Sequence, residues 1–205
     1  MSIRILALLG SLRIASYNRQ LAEAAIKLAP EGIDVDLYEG LAEVPFYNED
    51  LDQPAVIPPA ADDLRVAVRS ADALLLVTPE YNGSIPAALK NAIDWVSRPQ
   101  YRAAVIGKPV VVVGTSGGRY GGAWAHEDAR KVARAAGATV LDEIALSVPH
   151  AATRFADAPP VCDEEIISKL PIILAALAGA AQSCCEPALS REVGLPRRAP
   201  QPLSD

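Results

Sequence analysis

The sequence predicts a doubly wound α/β domain, a parallel sheet with helices on both faces. Three observations carry this. Apolar runs of strand length alternate with segments of helical periodicity along most of the chain, the pattern of repeated βα units. The runs at 73–77 and 109–113 are continuously apolar, as strands buried on both faces are. The segments richest in Gly, Pro, Ser and Asn fall just after strands, where an open α/β sheet binds its ligand.

Taken in order, residues 3–9 read as a buried strand and 18–29 as a helix with Leu21, Ala25 and Leu28 on one face. Residues 34–38 alternate and form a second strand. A turn-rich loop follows through Pro45, Asn48, Asp52, Pro54 and Pro58. Residues 60–70 are the next helix and 73–77 the third strand. Pro86 opens a helix at a position where proline is tolerated, with Leu89, Ala92, Ile93 and Val96 as its stripe. Residues 109–113 form the fourth strand and 122–136 a helix. Residues 138–141 and 144–148 suggest a last strand, continuous or interrupted. Residues 164–181 suggest a final helix, with Pro171 as an interruption. One domain over 1–185 is expected. Residues 186–205, with Pro187, Pro196, Pro200 and Pro202, read as a loose tail or an arm onto a partner subunit.

The composition narrows the function classes. With 205 residues, 51% hydrophobic and 21% charged, the chain can bury one sizeable core and is not of disordered type. A net charge of −6 gives no general attraction to nucleic acid or anionic lipid, so an anion site must be built locally. No apolar run reaches the roughly 18 residues of a spanning helix, and no signal segment is evident. Cys162, Cys184 and Cys185 lack the spacing of a disulfide framework or a metal site. No metal is expected, and the location expected is cytoplasmic.

Three strand-end loops carry the candidate chemistry. In the first, residues 10–18, unsatisfied N–H groups at a helix N-terminus favour an anion. Ser11, Ser16 and Asn18 add side-chain donors, and Arg13 adds a charged fork. This suits one phosphate; the alternative is that Ser16 only caps the helix and Arg13 is solvated. Neither G-x-G-x-x-G nor a Walker loop is present. In the second, residues 78–86, Tyr81 can cover a flat ring while Asn82 and backbone N–H groups bond its edge; the alternative is a plain turn. In the third, residues 115–122, four glycines allow close backbone approach; the alternative is a flexible surface loop.

The motifs Gly-Ser-Leu-Arg-x-x-Ser-x-Asn at 10–18 and Pro-Glu-Tyr-Asn-Gly-Ser-Ile-Pro-Ala-Ala-Leu-Lys-Asn-Ala-Ile-Asp-Trp at 79–95 resemble the NADPH-dependent FMN reductase family. The resemblance spans roughly residues 3–180. It implies a flavodoxin-like, doubly wound, five-stranded parallel sheet, and FMN as cofactor. It puts Ser11, Arg13, Ser16 and Asn18, with Tyr17 beside them, around the FMN phosphate. It puts Pro79, Glu80, Tyr81, Asn82 and Gly83 along the ring and ribityl chain, and matches Ser116, Gly117 and Gly118 in the third loop. It further implies a homodimer or homotetramer with the helix after Pro86 at the interface. One departure stands out: Trp124 occupies a place where relatives usually carry Arg. Its options are packing or a face toward the flavin.

The expected activity is therefore an NADPH- or NADH-dependent flavoenzyme reducing small oxidised acceptors (quinones, flavins, azo compounds or metal oxyanions) by a ping-pong sequence. The flavin does the chemistry and no catalytic side chain is assigned. A flavodoxin-like electron carrier and a non-flavin binding protein of the same fold are the alternatives. Lys90 and Asp94 are expected to pair on one helix face. His126 and His150 show no partner in the sequence.

Overall fold

The computed structural model describes residues 2–185. The expected tail, 186–205, and the side chains of Cys184 and Cys185 lie outside the described residues. Five strands, β1 (Ile3–Leu9), β2 (Ile33–Tyr38), β3 (Ala73–Val77), β4 (Pro109–Thr115) and β5 (Thr139–Val148), form one sheet in the order β2-β1-β3-β4-β5. Every neighbouring pair is parallel. The order reverses between β1 and β3, so the switch point lies between the loops that follow these two strands.

Among the described residues six α-helices flank the sheet: α1 (Tyr17–Lys27), α2 (Pro59–Ser70), α3 (Ala87–Val96), α4 (Ala123–Ala135), α5 (Ala151–Arg154) and α6 (Glu164–Cys185). Alternate residues of each strand point to opposite faces, which divides the core in two. Ile5, Ala7, Leu75 and Val111 pack against α1 and α6. Leu6, Leu8, Leu74, Leu76 and Val112 pack against α2, α3 and α4. The continuous apolar runs of β3 and β4 are the strands buried from both sides.

The last strand is one element whose ladder to β4 slips. Val110 pairs with Val140, but Val112 pairs with Ala145. Residues 141–144 fall in the slip, where alternation is lost. The last helix runs through Pro171. Proline removes one helical hydrogen bond, but Ile166, Leu170, Ile173, Leu174 and Leu177 form a continuous buried stripe across it. Asp163 starts this helix by accepting from the Ile166 N–H at 3.2 Å. By length and composition α6 could cross a membrane, yet its buried stripe belongs to the sheet core. Lys90 and Asp94 pair at 2.6 Å, half-exposed, where such a pair contributes little.

The long loop after β2 is clamped onto α2 and α3. Arg65 pairs with Asp52 at 2.8 Å, nearly buried, and its Nε donates to the Trp95 carbonyl. Trp95 and Asn91 both donate to the Pro45 carbonyl, at 2.7 and 2.9 Å.

At the carboxyl ends of β3 and β4 the backbones come unusually close. A Cβ on Gly114 would overlap the Thr78 carbonyl and sit 2.6 Å from His126 Nε2. Gly114→Ala should therefore cost about 3 kcal/mol or more, read as a lowered urea midpoint or as failure to fold. Wild-type stability would show that the strand ends can spread.

Candidate active site

The loops after β1, β3 and β4 enclose a cleft of 190 Å³ at the switch point. Ser11, Arg13, Ser16, Tyr17 and Asn18 line it from the first loop, Pro79, Glu80 and Tyr81 from the second, and Ser116 and Gly117 from the third. Asn82, Gly83 and Gly118 are not among its lining residues. Thr115 and Ala151 line it as well. Ala151 follows β5, so the rule that ligands sit beyond strand ends points to it, although its side chain gives no chemical signal.

The first loop is built around the start of α1. Ser16 is the N-cap, its hydroxyl accepting from the Asn18 N–H at 3.2 Å. No acidic side chain occupies the first turn, so the terminus keeps its partial positive charge. Ser11 is 4% exposed, and among the described residues its hydroxyl has no hydrogen-bond partner. Arg13 is exposed, with its guanidinium carbon 5.9 Å from the Tyr17 ring centre, and has no ion pair among the described residues. Asn18 is committed elsewhere. Its Oδ1 accepts from the Thr115 N–H at 2.9 Å and its Nδ2 donates to the Thr115 carbonyl at 2.8 Å. That exchange ties the first loop to the third and leaves one amide hydrogen for a ligand.

The second loop is a tight turn. Tyr81 and Ser84 exchange backbone hydrogen bonds of 2.9 and 3.1 Å. Asn82 and Gly83 between them have φ of 53° and 78°, the left-handed pair of a type I′ turn, for which Asn-Gly is the preferred sequence. The turn presents Tyr81, half-exposed. Two ties hold it to α4. The N-cap of α4 is Gly122, which has no side chain to cap with, and Glu80 supplies the cap from the second loop. Its Oε2 accepts from the N–H groups of Trp124 and Ala125 at 3.1 and 3.3 Å, a carboxylate at the positive end of a helix. Ser84 Oγ donates to Asp128 at 2.7 Å.

The third loop is pinned to the start of α5. The N–H groups of Ala151 and His150 donate to the Ser116 and Gly118 carbonyls at 3.0 and 3.2 Å. Above Gly117 the space is open. Trp124 is exposed beside Tyr120, ring centres 5.1 Å apart, and does not line the cleft, which favours packing of the two.

Nothing in the sequence around His126 marks a partner for it. It is 1% exposed, and its Nδ1 lies 2.7 Å from Ser147 Oγ. Its pKa is pushed down to about 4. Burial is the main cause, Arg130 adds repulsion, and the Thr78 carbonyl partly offsets both.

Comparison with known proteins shows the family of the chain. The family model for NADPH-dependent FMN reductases matches residues 3–153. The chain belongs to this family. An NAD(P)H-dependent FMN reductase of Pseudomonas aeruginosa is 44% identical over 129 residues, 63% of this chain and 68% of that protein. A 2-hydroxy-1,4-benzoquinone reductase of a Burkholderia species is 37% identical over 154 residues, 75% of this chain and 82% of that protein. Among solved structures, the flavoenzyme NAD(P)H:(acceptor) oxidoreductase of Paracoccus denitrificans superposes with a TM-score of 0.78 at 31% identity, covering 88% of this chain and 98% of that one. This reductase is thus a flavodoxin-like oxidoreductase with FMN as cofactor and NAD(P)H as electron source.

The depressed pKa has a direct consequence. An unfolded histidine, near 6.5, takes up a proton that the native one refuses, so stability falls as pH drops from 6.5 towards 4. Asp52, Asp163 and Glu165 are held low chiefly by hydrogen bonds from Arg65, Arg154 and Lys169 respectively. Their stabilisation is lost only as pH falls from about 4.5 downwards. Unfolding free energy should therefore drop by about 2 kcal/mol between pH 6.5 and 4.5, and His126→Phe should flatten that window. A flat wild-type profile would show that the ring is not held neutral.

Proposed function

We propose that the cleft between the β1 and β3 loops holds FMN and that the enzyme passes electrons from NAD(P)H to quinone-type acceptors. The observation that carries this is the position of the cleft. It lies at the switch point, with an uncompensated helix terminus and Arg13 at one end and the Tyr81 turn at the other. The phosphate goes to the start of α1, where Ser11, Arg13 and backbone N–H groups offer donors to an anion. The ring goes to the Tyr81 side. At 190 Å³ the cleft is below the roughly 300 Å³ of ordinary ligand pockets. A cleft of this size would hold the phosphate and chain and would leave a ring face accessible.

FMN, when bound, supplies the hydride-accepting and hydride-donating chemistry. The chain's part is to anchor the phosphate, fix the ring plane and offer backbone N–H groups from the second and third loops to charge on the ring. With one accessible face, nicotinamide and acceptor bind in turn, which is a ping-pong sequence. Quinones are the favoured acceptor class because the Burkholderia relative is named for a benzoquinone; other flavins, azo compounds and metal oxyanions are alternatives. The cytoplasm is the location we assign by default, since the three cysteines lack the spacing of a disulfide framework. A homodimer or homotetramer through α3 is supported by the 460 Å³ hollow between α3 and α4, which Ile93, Tyr101 and Ile106 line.

Arg13→Ala should weaken FMN binding by about 1.5–3 kcal/mol, the worth of a charged hydrogen bond, in a fluorescence-quenching titration. Unchanged affinity would remove Arg13 from the phosphate site. Anaerobic mixing of the FMN-loaded enzyme with NADPH or NADH should bleach the flavin band, and a quinone added afterwards should restore it. Bleaching that requires the quinone to be present first would contradict the ping-pong order.

A further inference from the structure

His126 is a buried polar group with an unusual address. It starts one turn inside α4, its N–H donating to the Gly122 carbonyl at 3.0 Å. Its ring is wedged among the carboxyl ends of three strands: Thr78 after β3, Gly114 in β4 and Ser147 in β5. Nδ1 meets the Ser147 hydroxyl at 2.7 Å. Nε2 has no well-formed hydrogen bond among the described residues, and both Nε2 and the Thr78 carbonyl oxygen crowd the bare Cα of Gly114. One tautomer suits these surroundings. If Ser147 donates to Nδ1, the proton on Nε2 faces the Thr78 carbonyl; the other tautomer would set a lone pair against that oxygen. The charged groups nearby are Arg130 on the same helix and Glu80, whose Cβ stands beside Gly122.

The Thr78 carbonyl is the last peptide oxygen before Pro79 and Glu80. Thr78 itself is fully buried, its N–H donating to the Val113 carbonyl and its hydroxyl to the Pro79 carbonyl. Whatever orients the Thr78–Pro79 peptide sets the direction in which the second loop leaves the sheet. We propose that His126 is a positioning residue for the flavin. Standing between the Ser147 hydroxyl and the Thr78 carbonyl, it fixes the strand ends from which the loops on either side of the ring emerge. This rests on the reading that the loop from Pro79 to Gly83 carries the flavin ring.

The test uses the full-length enzyme and three substitutions that divide the two nitrogens. His126→Gln keeps a donor where Nε2 stands, His126→Asn keeps a polar atom where Nδ1 stands, and His126→Phe keeps only a ring. Readouts are FMN affinity, the bound-flavin absorption spectrum, and kcat against KM for a benzoquinone at saturating NADPH. Melting of the FMN-free proteins is followed separately, and Tyr81→Ala serves as reference. The expected result is FMN affinity lowered about tenfold in the Phe and Asn variants, a difference of about 1.4 kcal/mol. Both should show a shifted flavin spectrum and reduced kcat, with the Gln variant restored towards wild type. Loss that follows apo melting temperature equally in all three, with no rescue by Gln, would reduce His126 to core packing and overturn the inference. If His126→Phe does not fold, the Gln–Asn contrast decides alone. If Tyr81→Ala shifts the flavin and His126→Asn does not, this inference falls by itself. If neither shifts it, the placement of the ring falls and takes the inference with it.

Discussion

Strands β1 and β3 lie side by side and parallel, yet the chain leaves them for opposite faces of the sheet: α1 packs on one side and α3 on the other. Two loops that start as neighbours must therefore diverge, and a cleft opens between them without any side chain being removed to make it. Everything at the site is arranged around this gap. The apolar strands keep the sheet rigid beneath it, and the close approach at Gly114 brings the ends of β3 and β4 together so that the third loop can border the same opening.

The loops themselves are short of secondary structure, and their shape is set by hydrogen bonds over long sequence separations. Asn18 reaches the Thr115 peptide, Glu80 closes the start of α4, and α5 holds the Ser116 and Gly118 carbonyls. The residues with most obvious ligand chemistry, Ser11 and Arg13, are those left out of this bracing. Polar groups are thus divided between those that build the site and those left available to a ligand.

Much of the architecture could be read from residue order. The five strands are legible because apolar runs bounded by turn formers have few other meanings. The Asn82-Gly83 turn is legible because only certain residues tolerate its backbone angles. Two features resisted. Asp142 and Glu143 interrupt the alternation of β5 just where its ladder slips, so one strand looks like two. Pro171 signals a break locally, while a buried stripe on both sides of it outweighs one lost hydrogen bond. At the site, position after a strand was enough to find the three loops. It could not tell that Asn18 faces a peptide 97 residues away, that Glu80 serves a helix it does not belong to, or that His126 meets Ser147. Such partners are set by the register of the sheet, which no local pattern encodes.

The bracing gives the cleft two walls. One is the Tyr81 turn, fastened to α4 by Glu80 and Ser84. The other is the first and third loops, fastened to each other and to α5 through Asn18 and the Ser116 and Gly118 carbonyls, with the third loop running on into α4 at Gly122. The cleft is the seam between them. A molecule lying across that seam meets walls that are already braced, so little chain entropy remains to be lost on binding. Its grip would be set by how well the two walls match it in spacing.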